Sequence, residues 1–218
     1  MFYQGDDDAA IADILIDNQS APSTPAAGKS VIFVDSTTKR MTNLADDGRA
    51  NSTFLSGNDS TASQVLGTAD TYVTNSGILI PSFGMKAGML FRWFMFITKT
   101  AALTAVPTYN FRLGSAQTTA DTSRALITSV AQTAAVDGGL FCFLAHVRNV
   151  GASGQLAVNF SISGKVAANA VGFGSSALDN IPATFDMTAV AGQYMGISIN
   201  PGAASAWTIT MVECKLSG

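Results

Sequence analysis

The stretch Met89-Leu-Phe-Arg-Trp-Phe-Met-Phe-Ile-Thr98 is the densest apolar and aromatic run of the chain, and it decides the fold. Its composition favours a strand over a helix, and successive side chains of a strand alternate between two faces. One face then carries Met89, Phe91, Trp93, Met95 and Ile97. The other face carries Leu90, Arg92, Phe94 and Phe96. Because both faces are largely apolar, we expect the first to line the core of the domain and the second to contact another copy of the chain.

The composition favours an all-β protein whose surface is largely covered by partners. Charged residues make up only 12% of the 218 residues, whereas hydrophobic residues make up 47%. Typical soluble domains carry about 25% charged residues, and a monomer with so little charge is poorly protected against association. The net charge of −3 provides no basic surface for nucleic acid, so no nucleic-acid partner is expected.

No targeting or membrane-spanning segment is recognisable. The chain begins Met1-Phe-Tyr-Gln-Gly-Asp-Asp-Asp8, which lacks the basic start of a signal peptide. No apolar run approaches the roughly 18 residues of a membrane helix. We therefore expect synthesis in a cytoplasm and no membrane partner. In that compartment Cys142 and Cys214 are expected to remain reduced.

Residues 1–28 are predicted to form an N-terminal arm and a linker. Asp8 can cap a short helix, which would place Ile11, Ile14 and Leu15 on one apolar stripe. A helix of this length is marginal alone, so it needs a surface to dock on, either its own domain or a partner. The prolines at positions 22 and 25 favour an extended linker after it.

Residues 29–50 carry the signal of a β-hairpin. Residues 30–35 are predicted to be a strand, residues 36–39 the turn and residues 40–45 the return strand. Val31 and Phe33 lie on one face of the first strand, and the opposite face is apolar as well. A two-stranded ribbon is marginal in water, so this one is expected to pack against other copies or another chain.

The hairpin and its flanks contain Gly28-Lys29, Ile32-Phe33-Val34-Asp35-Ser36, Lys39, Leu44 and Asp46-Asp47-Gly48. This set, within residues 20–50, resembles a hairpin that is common in virion proteins of tailed bacteriophages. In tail fibres, head fibres and capsid decoration proteins such a hairpin joins an attachment segment to a C-terminal β domain. The resemblance therefore implies attachment to the virion through the arm and hairpin. We expect the contact residues to be Ile11, Ile14, Leu15, Val31 and Phe33.

The rest of the chain has the pattern of a β-sandwich. Residues 51–70 are polar and small and are predicted to be a connection. From residue 71 onward short strands recur between turn signals, which predicts an antiparallel jelly-roll-like sandwich over residues 71–218. Alternation should point Leu156, Val158, Phe160 and Ile162 inward, and in the last strand Trp207, Ile209 and Met211. The predicted strands are 71–73, 77–80, 90–98, 108–113, 124–130, 140–148, 155–163, 183–187, 193–200 and 206–216.

Residues suited to catalysis or metal binding are sparse. His146 is the only histidine, lies on an apolar strand and is expected to be structural. No nucleophile elbow, Walker loop or dinucleotide fingerprint is present. Trp93 and Trp207 are expected in the core or at an interface rather than stacked on sugars. We expect no catalytic residue, no cofactor and no metal. The carboxylates that could cleave glycans fall in turns or polar loops, where Asp normally serves turn geometry: Asp46, Asp47, Asp59 and Asp70. Asp46-Asp47 or Asp6-Asp-Asp8 could bind calcium, but neither has an EF-hand loop.

These features predict a bacteriophage virion protein that acts by binding and not by catalysis. We expect a homotrimer that decorates or cements the capsid, or forms a head fibre, with the major capsid protein as its main partner. It would be made in the host bacterial cytoplasm and reside in the virion. One alternative is a tail fibre or receptor-binding tip that contacts a glycan of the host surface, and a glycan depolymerase is a more remote one. The absence of a shaft-like segment between residues 50 and 70 disfavours the first, and the lack of convergent carboxylates disfavours the second.

Overall fold

The computed structural model describes residues 18–19, 23, 26, 30–35, 41–45, 50–52, 56–100, 104–163, 172–175, 177–202 and 207–218, and for the strands before Asp59 it describes the backbone alone. All helical or extended structure in these residues is β-strand, which confirms the predicted all-β class. The chain divides into two compact units, residues 1–53 and 54–218. The strands are β1 (Asn18–Gln19), β2 (Ser30–Asp35), β3 (Met41–Ala45), β4 (Ala50–Ser52), β5 (Ser56–Ser60), β6 (Gln64–Val65), β7 (Thr71–Tyr72), β8 (Ile78–Leu79), β9 (Leu90–Lys99), β10 (Thr108–Gly114), β11 (Thr122–Thr128), β12 (Asp137–Asn149), β13 (Gln155–Ser163), β14 (Ala177–Asn180), β15 (Tyr194–Asn200) and β16 (Trp207–Ser217).

The first unit contains a four-stranded sheet in the order β1-β2-β3-β4. Its centre is the predicted hairpin, in which β2 and β3 pair antiparallel with Ser30 opposite Ala45 and Val34 opposite Met41. The hairpin is not a lone two-stranded ribbon as expected, because β1 joins it in parallel and β4 in antiparallel pairing. The added strands satisfy the backbone groups that an isolated ribbon would leave exposed on its outer edges.

The predicted attachment residues are not among the described side chains. The predicted N-terminal helix, with Ile11, Ile14 and Leu15, lies outside the described residues. Val31 and Phe33 lie in β2, whose backbone alone is described. Their assignment to virion attachment stays a prediction.

The second unit is a β-sandwich of two antiparallel sheets, as predicted. The large sheet has seven strands, with the path β14-β13-β12-β9-β16-β5 and β6 beside β16. The small sheet has five, with the path β11-β10-β15-β7 and β8 beside β15. After β9 the chain crosses to the small sheet for β10 and β11, returns for β12 to β14, and crosses twice more for β15 and β16. Each crossing joins strands whose apolar inner faces pack on the opposite sheet.

Aromatic rings fill the core between the sheets. Tyr109 of β10 stacks on Phe160 of β13 with ring centroids 4.4 Å apart. Trp93 of β9 meets Phe111 of β10 edge to face at 5.7 Å. Trp93 also donates its indole N–H to the carbonyl of Ser76 at 2.7 Å, which joins β9 to the loop after β7. Aromatic pairs in these geometries stabilise by about 0.5–1.5 kcal/mol beyond the area they bury, so the rings tie the two sheets together.

The central strand β9 has the face pattern that its sequence predicted. Strands β12 and β16 flank it on either side. The inner residues Met89, Phe91, Trp93, Met95 and Ile97 are at most 2% exposed. The same alternation holds in β13, where Leu156, Val158, Phe160 and Ile162 are all buried as predicted.

Two segment predictions are corrected by the strand pairing. Within residues 51–70, β5 and β6 pair antiparallel with β16 and complete one edge of the large sheet. The polar residues of this segment predicted a connection. Edge strands often carry polar residues as well, so polarity does not distinguish the two. The predicted strand over 183–187 is absent: only Phe185 forms an isolated bridge, with Gly154, and the edge strand is β14 instead.

Met211 points away from the core, contrary to the prediction. The pairing of β16 with β9 shifts register between Ile209 and Met211, which marks a β-bulge. A bulge adds one residue to a strand and so reverses the alternation beyond it. Val212 and Cys214 consequently point inward and are buried, whereas Met211 lies half-buried on the outer face of the large sheet.

Candidate functional site

The predicted interface residues lie together on the outer face of the large sheet. Leu90, Arg92 and Phe94 are half-buried on this face, and Phe96 is 38% exposed. Because β9 is a central strand, these side chains stand in the middle of the sheet rather than at its edge. An antiparallel sheet with one solvated face normally shows polar residues there, so the apolar character of this row calls for an explanation.

Neighbouring strands widen this row into an apolar surface. Phe96 lies directly between Leu140 of β12 and Met211 of β16. Farther along the same face of β12, Cys142 is followed by Leu144, which lies opposite Arg92. We refer to the resulting surface as the outer patch, defined by Leu90, Phe94, Phe96, Leu140, Leu144 and Met211. Exposed apolar surface of this kind, rimmed by polar residues, marks interaction sites in many proteins.

Sequence reasoning missed half of the outer patch. The run Leu140-Phe-Cys-Phe-Leu144 is apolar on both faces, as β9 is, and this signal could have identified Leu140 and Leu144. Met211 carried no such signal, because the bulge that turns it outward is not apparent from residue types.

Charged groups border the outer patch and are paired with it or with each other. The guanidinium of Arg92 lies over the ring of Phe94, 5.4 Å from its centroid. Lys215 donates to the carboxylate of Glu213, and both residues lie on β16, the strand next to β9. Both signs of charge are therefore present beside the apolar residues, which favours a partner that also presents both signs.

Two residues of special chemistry lie next to the outer patch. Cys142 sits opposite Phe94, and burial raises the pKa of its thiol above the ordinary value. His146 sits opposite Leu90 at the exposed end of β12. Within the described part of the chain, no group of three or more His, Cys, Asp or Glu residues is placed to hold a metal ion.

A second polar centre lies on the outer face of the small sheet, around Arg112 of β10. Its Nε donates to the Ser198 hydroxyl at 2.6 Å, and its Nη2 to the carboxylate of Asp70. Its Nη1 donates to the carbonyls of Thr119 and Asp121, at 2.9 and 2.6 Å. Asp70 was expected to serve turn geometry, but it forms an ion pair with Arg112 and accepts from the Ser198 hydroxyl at 3.0 Å.

The loop over residues 115–121 is fixed on this centre. The carboxylate of Asp121 accepts the backbone N–H groups of Ala116 and Gln117 at 3.0 and 2.8 Å. Gly114 leaves room for this carboxylate, because a Cβ there would overlap with it. The loop is thereby held at both ends, by Arg112 through its carbonyls and by Asp121 through its amides.

A polar cleft of about 460 Å³ opens between this loop and the segment around β7. Burial raises the pKa of the Tyr72 phenol, which lies in the cleft wall, to about 12. All lining residues carry a hydroxyl, amide or carboxylate group. They are Asp70, Thr71, Tyr72, Thr74, Asn75, Gln117, Thr118 and Thr119.

The remaining candidates of the sequence analysis lie in the core, on an edge strand or outside the described residues. Trp93 and Trp207 are fully buried in the core, as expected. Asp59 is exposed on the edge strand β5, and Asp46 and Asp47 lie outside the described residues. No helix in the described part of the chain is long and apolar enough to span a membrane.

Comparison with known proteins identifies no relative. The chain matches no protein-family model, no curated protein and no solved structure.

Proposed function

We propose that this chain is a structural protein of a bacteriophage virion that acts by binding, as a homotrimer whose copies contact one another through the outer patch. The observation that carries the proposal is the apolar row on the solvent side of β9, with Phe96 38% exposed in the middle of a seven-stranded sheet. Leaving such a surface in water is unfavourable, at roughly 25 cal/mol for each Å² of apolar area.

A second copy of the chain is a suitable partner for this surface. Arg92, Lys215 and Glu213 place both signs of charge beside the apolar residues, so a like surface can supply complementary groups. The whole chain has only 12% charged residues, which is the composition of a protein whose surface is covered. The two-sided apolar strand and the low charge support the proposed trimer, and the resemblance of the hairpin supports the virion as its location.

Attachment to the virion is assigned to the first unit. Its four-stranded sheet contains the hairpin that resembles those of phage virion proteins. The compact division at residue 53 fits a separate attachment unit followed by a projecting sandwich. Several copies bound side by side would hold the trimer far more tightly than one attachment unit alone. The major capsid protein is the proposed surface for attachment.

Assembly is tested by light scattering coupled to size-exclusion chromatography. Wild-type protein should elute as a trimer, whereas Phe96→Asp should shift to monomer, since an unpaired charge buried at an interface costs several kcal/mol. The matched control is Leu126→Asp, which adds the same charge at a 46% exposed position of the small sheet and should remain trimeric. A stable wild-type monomer at micromolar concentration would refute the assembly.

Attachment is tested separately with particles that lack the protein. A variant without residues 1–28, which also lacks β1, should keep the sandwich folded and trimeric with its melting temperature unchanged, but should not bind such particles. Full occupancy by this variant would show that residues 1–28 are not required for attachment and would overturn the role assigned to the arm. Failure of this variant to trimerise would show that the arm belongs to the trimer interface.

A further inference from the structure

The polar cleft beside β7 is a second surface that the proposed assembly does not use. It is formed by residues 70–75 on one side and residues 117–119 on the other. Tyr72 and Thr71 of β7 pair with β15, so this side of the cleft belongs to the small sheet. The outer patch lies on the large sheet, and the cleft would stay accessible when copies meet through that patch.

The charges at the cleft favour a neutral ligand. Among the described residues that line the cleft, Asp70 alone is charged, and its carboxylate is already paired with Arg112 and the Ser198 hydroxyl. The described lining includes no Lys, Arg or His, so an anion would find no counter-charge among these residues. A hard cation would find a single carboxylate where it needs about six or more oxygen ligands.

The lining groups favour a ligand rich in hydroxyls. Gln117 carries an amide, which offers both donors and an acceptor, while Thr74 and Thr119 offer hydroxyls that do both. Thr74 and Thr119 are exposed. A cleft of about 460 Å³ falls within the size range of small-ligand sites. Sugar rings present closely spaced hydroxyls that can donate and accept, which is the complement of such a lining.

Both walls of the cleft are fixed before any ligand binds. Asn75 and Gln117, one in each wall, are the non-glycine residues of the described chain with left-handed backbone, at φ of 65° and 53°. Such conformations are costly and occur preferentially at functional sites. The Gln117 side chain lies against Gly77, where any Cβ would overlap with its amide oxygen. These contacts hold the amide of Gln117 in the cleft wall.

The wall formed by residues 70–75 is held by the side chain of Gln64 in β6 and by a contact of Asn75. Gln64 donates from Nε2 to the carbonyl of Tyr72 at 2.9 Å, and its Oε1 accepts the backbone N–H of Thr74 at 2.8 Å. Asn75 donates from Nδ2 to the Ser60 hydroxyl at 3.0 Å. Arg112 and Asp121 hold the wall formed by residues 117–119. The cleft is therefore preorganised on both sides, which lowers the free-energy cost of binding a ligand.

From the polar lining, the neutral charge balance and the fixed walls we infer that this cleft is a binding site for a neutral carbohydrate, at the level of one or two sugar rings. The inference is independent of the proposed virion role, because it depends on the cleft alone.

Saturation-transfer difference NMR on the full-length protein tests the site, because it observes the ligand and works for an assembly of any size. The probes are neutral methyl glycosides of glucose, galactose, mannose, rhamnose and N-acetylglucosamine and their disaccharides, with glucuronate, inorganic phosphate and glycerol as comparisons. We expect saturable transfer to at least one neutral glycoside. No transfer to any of them, stronger transfer to glucuronate or phosphate, or equal transfer to glycerol would overturn the inference.

The double variant Thr74→Val, Thr119→Val locates the binding. It removes two exposed hydroxyls and leaves intact the backbone contacts that hold both walls. Loss of two hydrogen bonds should weaken binding about ten- to a hundredfold. Thr184→Val, at an exposed position outside the cleft, is the matched control and should bind as wild type does. Unchanged affinity in the double variant would place the sugar elsewhere and overturn the assignment of this cleft.

Discussion

Tyr109 and Phe160 come from opposite sheets and stack with their ring centroids 4.4 Å apart. Both are fully buried, and Tyr109 also contacts Phe143 at a centroid distance of 5.4 Å. The phenol of Tyr109 is therefore enclosed by apolar rings. Among the described residues its hydroxyl finds no hydrogen-bond partner. A buried polar atom without a partner lowers stability, so the centre of this core is not optimal.

Substitutions at these two positions should change stability in opposite directions. Tyr109→Phe keeps the stacked ring and removes the buried hydroxyl, so the free energy of unfolding should rise by about 1–3 kcal/mol. Phe160→Ala removes the ring and leaves a cavity, so it should fall by about 3–5 kcal/mol. Urea unfolding followed by tryptophan fluorescence measures both. A less stable Tyr109→Phe variant would mean that the hydroxyl has a partner after all.

Alkaline pH should destabilise the folded protein through its buried phenols. Burial raises the pKa of Tyr72 from 10.0 to about 12, and it also raises that of Tyr109. Below pH 10 the Tyr72 phenol is protonated in both the folded and the unfolded state, so its contribution to the free energy of unfolding is fully present. Between about pH 10 and pH 12 the unfolded state loses the proton first, and the stability declines.

Tyr72→Phe isolates this contribution. Urea unfolding of wild type and variant is compared at neutral pH and at about pH 11, where linkage predicts that wild type has lost more stability than the variant. Parallel losses in the two proteins would show that the Tyr72 phenol ionises alike in both states.

The sequence predicts which face of a strand is buried wherever the alternation of apolar residues continues along the whole strand. In β9 and β13 the apolar alternation is unbroken, and Trp93, Phe160 and their neighbours are buried as expected. Alternation does not predict the buried face beyond a β-bulge, because the extra residue reverses the order of inward and outward side chains. Met211 points outward for this reason. Pairing of the polar strand β5 with β16 is likewise decided by the partner strand and not by its own residues.

Only part of the candidate sites could be predicted, for a similar reason. The half of the outer patch that lies on β9 could be predicted, because Leu90, Phe94 and Phe96 alternate along one strand. The cleft brings together residues that lie more than forty positions apart in the sequence, such as Asp70 and Thr119. The ion pair between Asp70 and Arg112 links the two segments. No local pattern announces such a contact, and an Asp in a loop gives the same signal whether it caps a turn or pairs with a distant Arg.

Thiol labelling reports on whether the outer patch is covered. Cys142 lies on the outer face opposite Phe94, whereas Cys214 is fully buried on the inner face, so the two thiols should differ in reactivity. In wild-type protein both should resist a maleimide reagent. In Phe96→Asp, which should be monomeric, Cys142 should react while Cys214 stays protected, and urea should expose both.

The pH dependence provides an internal check on this labelling. Because burial raises the pKa of Cys142, its rate in the monomeric variant should still rise at pH values where an ordinary thiol has reached its plateau. Peptide mass spectrometry assigns the label to each cysteine. Equal labelling of Cys142 in wild type and Phe96→Asp would show that no second copy covers this surface.

Arg112 should resist replacement even by lysine. It directs Nε to the Ser198 hydroxyl, Nη2 to Asp70 and Nη1 to the carbonyls of Thr119 and Asp121, so it uses the planar fork of its guanidinium in three directions. A lysine ammonium is a single point of charge and cannot reach these acceptors together. Arg112→Lys should therefore lower the free energy of unfolding by about 1.5–3 kcal/mol, which is the range for hydrogen bonds to charged groups. Arg148→Lys is the matched control: Arg148 makes one exposed hydrogen bond, to Gln155, and its replacement should change stability by less than about 0.5 kcal/mol. Urea unfolding of the two variants beside wild type gives the comparison. If Arg112→Lys is as stable as the control, charge alone holds the loop over residues 115–121, and the fork geometry is not required.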